Sequence, residues 1–158
     1  MTSAKNADLD TATTGSPLVV AAAVIRADTL LVAQRSRPAH LAGLWEFPGG
    51  KLEMGEMPRA ALHRELREEL GLSVHLGEVL RSGDPDGNWA LDNNMRMRVY
   101  LASPRGQVQF LAVHRQARWV AFAELSDLPW IAADRPIVQA LLHRCAKADR
   151  REKPSSAP

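Results

Sequence analysis

Acidic side chains are concentrated in one short stretch of the chain, where their spacing fits one face of a helix. Glu65, Glu68 and Glu69 follow one another at intervals of three and one residues. At about 3.6 residues per turn, these positions share one side of a helix. Carboxylates so close together repel one another and raise each other's pKa unless a cation joins them. The stretch therefore predicts a site for Mg²⁺ or Mn²⁺, which prefer oxygen ligands and often share phosphate oxygens.

The residues around these glutamates are suited to anchor and orient them. Leu62, Leu66 and Leu70 form a neighbouring apolar stripe that can pack the helix onto a core. Arg64 precedes Glu68 by four residues and can pair with it across one turn. An isolated pair of glutamates on a helix is more often a solvated face. The choice between a metal site and a solvated helix face therefore depends on the whole pattern.

The pattern extends well beyond the helix. It reads Gly50, five residues, Glu56, seven residues, Arg64-Glu65-Leu66, one residue, Glu68-Glu69, one residue, Gly71-Leu72. This resembles the Nudix box at every fixed position, and so many matches exclude chance as the explanation.

Resemblance to the Nudix family implies both a fold and a chemistry. The fold is an α/β/α sandwich of the α+β class, with a mixed sheet, a loop–helix–loop for the box and a C-terminal helix. The chemistry is hydrolysis of a nucleoside diphosphate linked to another moiety, with two or three magnesium ions. The resemblance implies that Glu68 and Glu69 are the principal metal ligands and that Gly50 is a ligand through its carbonyl. It makes Glu65 either a ligand or the base that activates water, and Arg64 the second catalytic residue. Glu56 has a supporting role at the helix start.

Three further segments resemble the MutT-type nucleoside triphosphatases, so that the likeness covers roughly residues 18–145. They are Ala33-Gln34-Arg35, the run from Ala42 to Gly50, and Ala132-Ala133-Asp134-Arg135-Pro136. Within that group the chain is most similar to the CTP pyrophosphohydrolases, including the mycobacterial MutT-like branch. The resemblance makes Arg35 a nucleotide contact. It makes Asp134 the mark of the cytosine-preferring proteins, since the guanine-sanitising ones have Asn there.

The chemistry of these substrate residues leaves alternatives open. A carboxylate only accepts hydrogen bonds, so Asp134 suits the exocyclic amine of cytosine. It is equally suited to cap the helix that begins at Arg135-Pro136. Arg35 could instead be a surface arginine, and Trp45 and Phe47 are expected in the core rather than stacked on a base.

The predicted activity is Mg²⁺-dependent hydrolysis of CTP, dCTP or a modified cytidine nucleotide to the monophosphate and pyrophosphate. The alternatives are hydrolysis of an oxidised guanine nucleotide or another nucleoside diphosphate derivative, and a nucleotide sensor that does not hydrolyse. One position departs from the resemblance. Related proteins carry an acidic residue six positions before the tryptophan that matches Trp119, where this chain has Val113. His114 beside it is interpreted as structural rather than as a ligand.

Periodicity and turn residues divide the chain into elements between two tails. Strands are predicted at Val19–Ile25, Thr29–Ala33, Trp45–Phe47, Leu72–Val79, Met95–Leu101, Gln107–Val113 and Arg118–Phe122. Helices are predicted from Pro58 to a stop at Gly71, and over Pro136–Ala146. Residues 16–147 form the predicted Nudix domain, and residues 1–15 and 148–158 are predicted to be disordered.

Composition bounds the partners and the location. The 158 residues include 20 Lys and Arg against 18 Asp and Glu, and the basic residues form no block along the sequence. We therefore expect a small nucleotide as the partner and no nucleic acid. The longest apolar run, Leu18–Ile25, is far shorter than a membrane span of about 20 residues. With no visible signal peptide and one cysteine, the prediction is a cytoplasmic monomer or homodimer that contacts no membrane.

Overall fold

A computed structural model describes residues 17–152, which form eight strands and two α-helices. In chain order they are β1 (Leu18–Arg26), β2 (Thr29–Arg35), β3 (Trp45–Glu46), β4 (Gly49–Lys51), α1 (Pro58–Leu70), β5 (Val74–Leu80), β6 (Trp89–Ala90), β7 (Arg96–Pro104), β8 (His114–Ala121) and α2 (Arg135–Glu152). Short 3₁₀ turns lie at Asp92–Asn94, Phe122–Asp127 and Ala132–Asp134.

The aliphatic strand β1 is the centre of the sheet, which suits a segment that is buried on both faces. It pairs in parallel with β7 and antiparallel with β2 and β4. The strand order is β3-β2-β1-β7-β5, with β6 added to β7 and β8 added to β2. The sheet is therefore mixed, and β5 lies at one edge of the main path.

The two helices cover opposite faces of this sheet. Leu62, Leu66 and Leu70 of α1 pack with one buried cluster, which includes Val20 of β1 and Tyr100 of β7. The apolar side of α2 packs with the other cluster, through Ile137, Val138 and Leu141. Each buried leucine contributes about 1.5–3 kcal/mol to folding, so the stripe beside the glutamates holds α1 in place. The predicted α/β/α sandwich of the α+β class is confirmed.

The ends of α1 follow the residues that predicted them. Pro58 occupies the first turn, where no N–H partner is needed. Gly71 ends the helix at φ 59°, and its N–H donates to the carbonyl oxygens of Arg67 and Leu66. Residues with a side chain adopt this left-handed conformation at a cost, so glycine fits the position.

The predicted strand at 107–113 is wrong, because these residues form a loop. The N–H groups of Gln109 and Ala112 donate to the carbonyls of Leu70 and Glu69, each at 3.0 Å. Those carbonyls are among the last of α1, which have no partner within the helix. The segment therefore closes the end of the box helix instead of joining the sheet, and β8 begins at His114 rather than at Arg118.

The C-terminal tail was predicted to begin at residue 148, yet α2 continues to Glu152. The added residues include strong helix formers, and Arg150 and Arg151 suit the negative end of the helix dipole. The rest of the two predicted tails, residues 1–15 and 153–158, lies outside the described residues. Neither helix within residues 17–152 is long and apolar enough to cross a membrane.

Candidate active site

A cleft of about 470 Å³ opens beside β1, between β4 and the first residues of β8. Four of the residues predicted for the site line it: Arg35, Gly50, Glu69 and Asp134. Its volume is within the range of about 300–1,000 Å³ that is usual for small-molecule sites. The fold thus brings the metal-site and the substrate-site predictions to one cavity, although they come from separate parts of the chain.

Arg64 joins the other glutamates of the box. Its guanidinium donates to both oxygens of Glu56, at 2.8 and 2.9 Å, and to Glu65 at 2.9 Å. It also donates to Glu68 at 3.1 Å, across the one helical turn that the spacing predicts. A fifth bond goes to the carbonyl of Lys51 on β4 at 3.2 Å. The arginine therefore ties the loop before α1, the helix and β4 into one network.

Within this network, Arg64 and Glu56 stabilise each other's charged form. The hydrogen bonds from Arg64, together with one from the backbone of Glu53, lower the pKa of Glu56 to about 2. The same pairing with Glu56 raises the pKa of the Arg64 guanidinium above its ordinary value. Glu56 is therefore ionised at any pH at which the protein works, as its predicted supporting role at the helix start requires.

Gly50 lies directly against the carboxylate of Glu65. A Cβ atom built at Gly50 would be 2.3 Å from the Glu65 carboxyl carbon and 2.6 Å from both oxygens. Gly50 pairs with Val20 in the antiparallel ladder between β1 and β4, so its backbone cannot move aside without breaking that pairing. The absence of a side chain at residue 50 is what allows Glu65 to approach β4.

Glu69 points into the cleft. Among the glutamates of the box, its negative charge is the one least compensated by a cationic side chain. Burial raises the pKa of its carboxyl to about 7. The charge of His114 opposes this rise, whereas those of Glu65 and Glu46 add to it. The causes of this shift are burial and nearby charges, and no hydrogen bond is among them. A bound cation would supply the missing positive charge.

The donor set fits a hard divalent cation in its chemistry. Glu65, Glu68 and Glu69 offer carboxylate oxygens and Gly50 offers a carbonyl, the ligands that Mg²⁺ and Mn²⁺ prefer. In the described part of the chain, however, no three acidic, histidine or cysteine side chains converge closely enough to hold an ion as they are placed. Arg64 accounts for this, because Glu65 and Glu68 are both paired with it. An ion would have to replace the guanidinium as their partner.

A second ion-pair group, which sequence analysis missed, lies on the other wall of the cleft. Glu46 accepts a hydrogen bond from Arg35 at 2.8 Å and lies 3.0 Å from Nε2 of His114. The two partners sit on neighbouring strands, β2 and β8, so Glu46 fixes both at the cleft edge. The only sequence feature that could have indicated this role of Glu46 is its alternation with the apolar Trp45 and Phe47. His114 lines the cleft, and its buried Nδ1 has no partner among the described residues.

Asp134 is buried at the cleft wall and is 1% exposed. Its Oδ2 accepts the backbone N–H of Phe47 at 2.9 Å. Its Oδ1 has no hydrogen-bond partner within residues 17–152. Neither oxygen accepts an N–H of α2, so the helix-cap alternative does not describe this side chain. One carboxylate oxygen is held by the backbone and the other remains for a ligand.

Burial also raises the pKa of Asp134 to about 7, while the bond from Phe47 opposes the shift. A raised pKa means that the folded state favours the neutral acid, so the associated stability is present below about pH 4 and is lost as the pH rises through 7. We expect Asp134→Asn to remove this dependence, which amounts to up to about 4 kcal/mol. Urea unfolding of both proteins at pH 4.5 and pH 8 measures it. The variant gains relative stability at pH 8 only, and an equal difference at both pH values would show that Asp134 ionises normally.

Trp45 and Phe47 belong to the core, as expected. They are 2% and 4% exposed, and the Phe47 ring stacks on Trp130 with centroids 5.3 Å apart. Phe47 also lines the cleft, together with other apolar residues that include Leu91, Met97 and Ile131. Leu91 follows β6, a short strand that sequence analysis did not predict.

Comparisons with known proteins agree with this geometry. The sequence model of the NUDIX domain family matches residues 15–141. A Mycobacterium tuberculosis protein provisionally named 8-oxo-dGTP diphosphatase 2 is 49% identical over 119 residues, which cover 75% of this chain and 82% of that protein. The CTP pyrophosphohydrolase of Escherichia coli is 36% identical over 124 residues, covering 78% and 90%. The solution structure of the Escherichia coli ORF135 protein superimposes with a TM-score of 0.66 and 32% identity, over 87% of this chain and 95% of that one.

The family match spans most of the chain, and the box glutamates, their arginine and Gly50 lie together beside a cleft of suitable size. The chain therefore belongs to the Nudix hydrolase family.

Proposed function

We propose that this chain is a Mg²⁺-dependent nucleoside triphosphate pyrophosphohydrolase, which converts CTP, dCTP or a modified cytidine nucleotide to the monophosphate and pyrophosphate. One observation carries the proposal. A single cleft is lined by Gly50 and Glu69 of the box and by the buried carboxylate of Asp134. The triphosphate would lie toward the box, and the base would lie toward Asp134.

The reaction is attack of water on a phosphorus of the triphosphate. Bound magnesium would neutralise phosphate charge and lower the pKa of the water. We assign acceptance of the proton from the attacking water to Glu65, whose carboxylate lies against Gly50 in the wall of the cleft. The bond to the leaving pyrophosphate breaks, and its electron pair stays on the pyrophosphate oxygen. Arg35, fixed by Glu46, contributes positive charge from the opposite wall.

Asp134 and the apolar wall provide for the base. The exocyclic amine of cytosine donates to the free Oδ1 of Asp134 when this group is ionised. Leu91, Met97 and Ile131 offer an apolar surface to a planar ring. Phe47 holds the other carboxylate oxygen, so Asp134 presents Oδ1 in one orientation.

A second candidate substrate is 8-oxo-dGTP. The mycobacterial relative whose name carries this activity is 49% identical, more similar than the CTP pyrophosphohydrolase at 36%. Below about pH 7 Asp134 is the neutral acid, whose O–H can donate to the carbonyl oxygen of a guanine base. The state of this single carboxyl group would then decide between the two bases.

A panel of nucleotides with product identification tests the proposal. CTP, dCTP, dGTP, 8-oxo-dGTP, ADP-ribose and diadenosine polyphosphate are incubated with the protein and Mg²⁺, and with EDTA as the metal-free control. We expect CMP and pyrophosphate, with the highest kcat/KM for cytidine nucleotides. Release of orthophosphate would contradict the proposed bond cleavage. Tight binding without any product would favour a nucleotide sensor.

The contact between Gly50 and Glu65 gives a separate prediction. In Gly50→Ala the new methyl group displaces the Glu65 carboxylate, and a displacement of about 1 Å lowers kcat/KM by roughly 10²-fold. Gly83→Ala is the matched control, because a Cβ at residue 83 meets nothing within 4 Å. Steady-state kinetics of the two variants make the comparison. A wild-type rate in Gly50→Ala would show that Glu65 takes no part in the reaction.

A further inference from the structure

A second groove, separate from the cleft, lies between the edge strand β5 and α2. Its volume is about 610 Å³, and none of its lining residues lines the cleft. Leu80 and Ala140 contribute to an apolar floor, and the charged residues stand around it. Nothing in the proposed reaction uses this groove.

The charge of the groove is strongly one-sided. Arg81, Arg144, Lys147 and Arg151 are permanent cations, and Glu78 is the single carboxylate among the lining residues. Glu78 is already paired with Arg144. The sequence shows no basic block, because one of these cations follows β5 and the other three lie on α2. The fold brings them together.

Apart from the pair between Glu78 and Arg144, folding stability does not explain this arrangement. Arg144, Lys147 and Arg151 lie three and four residues apart on α2, and like charges at these spacings destabilise a helix. The helix dipole favours basic residues in the last turn, which accounts for Arg151 but not for Arg144. The guanidinium of Arg81 lies close to Gly87, where a Cβ atom would approach its central carbon to 2.8 Å. The positive charge that remains beside the pair of Glu78 and Arg144 is available to a ligand outside the chain.

We propose that this groove is a second ligand site, which binds a short chain of phosphates, either free or carried by a nucleotide. Three helical positions spanning seven residues extend over about 10 Å, a length suited to a few linked phosphate groups. Arginine and lysine are the side chains that bind phosphate most strongly. His143 is the only residue with a ring among the described residues that line the groove, and no Phe, Tyr or Trp there offers a platform on which bases stack. Recognition is accordingly of phosphate, not of the base.

Binding of inorganic tripolyphosphate to the full chain in EDTA at low salt tests this proposal. EDTA removes the metal that would hold a polyphosphate in the cleft, and a loss of binding in Lys147→Glu assigns the remaining binding to the groove. We expect one tripolyphosphate per chain, with an affinity that falls about tenfold or more in Lys147→Glu. Arg150→Glu is the matched control, because Arg150 is exposed on the same helix and does not line the groove. Thermal unfolding confirms that both variants are folded.

The outcomes separate the proposal from its rivals. The proposal is overturned if tripolyphosphate does not bind in EDTA. It is also overturned if Lys147→Glu and Arg150→Glu lose affinity equally, because that result indicates only diffuse net charge. A non-hydrolysable CTP analogue that competes with tripolyphosphate while cytidine does not would identify nucleotides as a source of the phosphates. A single-stranded oligonucleotide that binds far more tightly, with a steeper salt dependence, would replace the proposal with a nucleic-acid surface. Hydrolysis by Lys147→Glu stays at the wild-type rate, so this test is independent of the proposed activity.

Discussion

Glu65→Gln, Glu68→Gln and Glu69→Gln each lower kcat/KM for the triphosphate substrate by roughly 10²–10³-fold or more at saturating Mg²⁺. Glutamine keeps the size of each side chain and one accepting oxygen, removes the negative charge and replaces the second oxygen with an NH₂ group. The loss therefore reports on charge that binds a cation or accepts a proton. Glu69→Gln also removes an acid whose ionised form is disfavoured by burial, so we expect no loss of stability in EDTA from this change.

The control for these variants is Glu124→Gln, which changes the same charge on an exposed 3₁₀ turn away from the cleft. A second measurement separates metal binding from proton transfer. Mg²⁺ raises the unfolding temperature of a protein that binds it only when folded. We expect this increase to be lost in Glu69→Gln and retained in Glu65→Gln if Glu65 acts as the base. Near wild-type turnover in all three variants would exclude the carboxylate site.

Local spacing was sufficient to predict the box helix. Its start at Pro58, its stop at Gly71 and its buried leucines depend on intervals of three and four residues, which the helix itself fixes. The pair between Arg64 and Glu68 is of the same kind. Features that depend on one element alone can be predicted in this way from the sequence.

Features that depend on tertiary contacts could not be predicted. Glu46 collects Arg35 and His114 from two other strands, and no spacing along the chain connects these three residues. Arg98 of β7 is 1% exposed and donates to Asn88, a contact that the predicted strand at Met95–Leu101 does not indicate. The segment 107–113 has the composition of a strand, but its N–H groups are used to close the end of α1.

The same distinction explains the two carboxylate environments of the cleft. The pKa of Glu56 is low because Arg64 reaches it within the box, which the motif could suggest. The pKa of Asp134 is high because the strands and the 3₁₀ turn around it exclude water, and this only the fold determines. The sequence therefore predicted Asp134 as a substrate-binding residue but could not predict its raised pKa.

Asp134→Asn changes which base the protein prefers, and this is the second large effect we expect. Asn can still accept the N–H of Phe47 through its carbonyl, so the side chain keeps its position while gaining a donor. We expect kcat/KM for CTP to fall by about 10–100-fold relative to that for 8-oxo-dGTP, which corresponds to the roughly 1–3 kcal/mol of one base contact.

The pH dependence of the two substrates makes this prediction specific to the charge of Asp134. In the wild-type protein the ratio of kcat/KM for CTP to that for 8-oxo-dGTP rises as the pH increases through about 7, because the ionised carboxylate accepts from cytosine and the neutral acid donates to guanine. In Asp134→Asn the ratio is constant, since the amide does not titrate. Equal losses for both nucleotides at every pH would mean that Asp134 only supports the backbone at Phe47, and base recognition would have to come from the apolar wall.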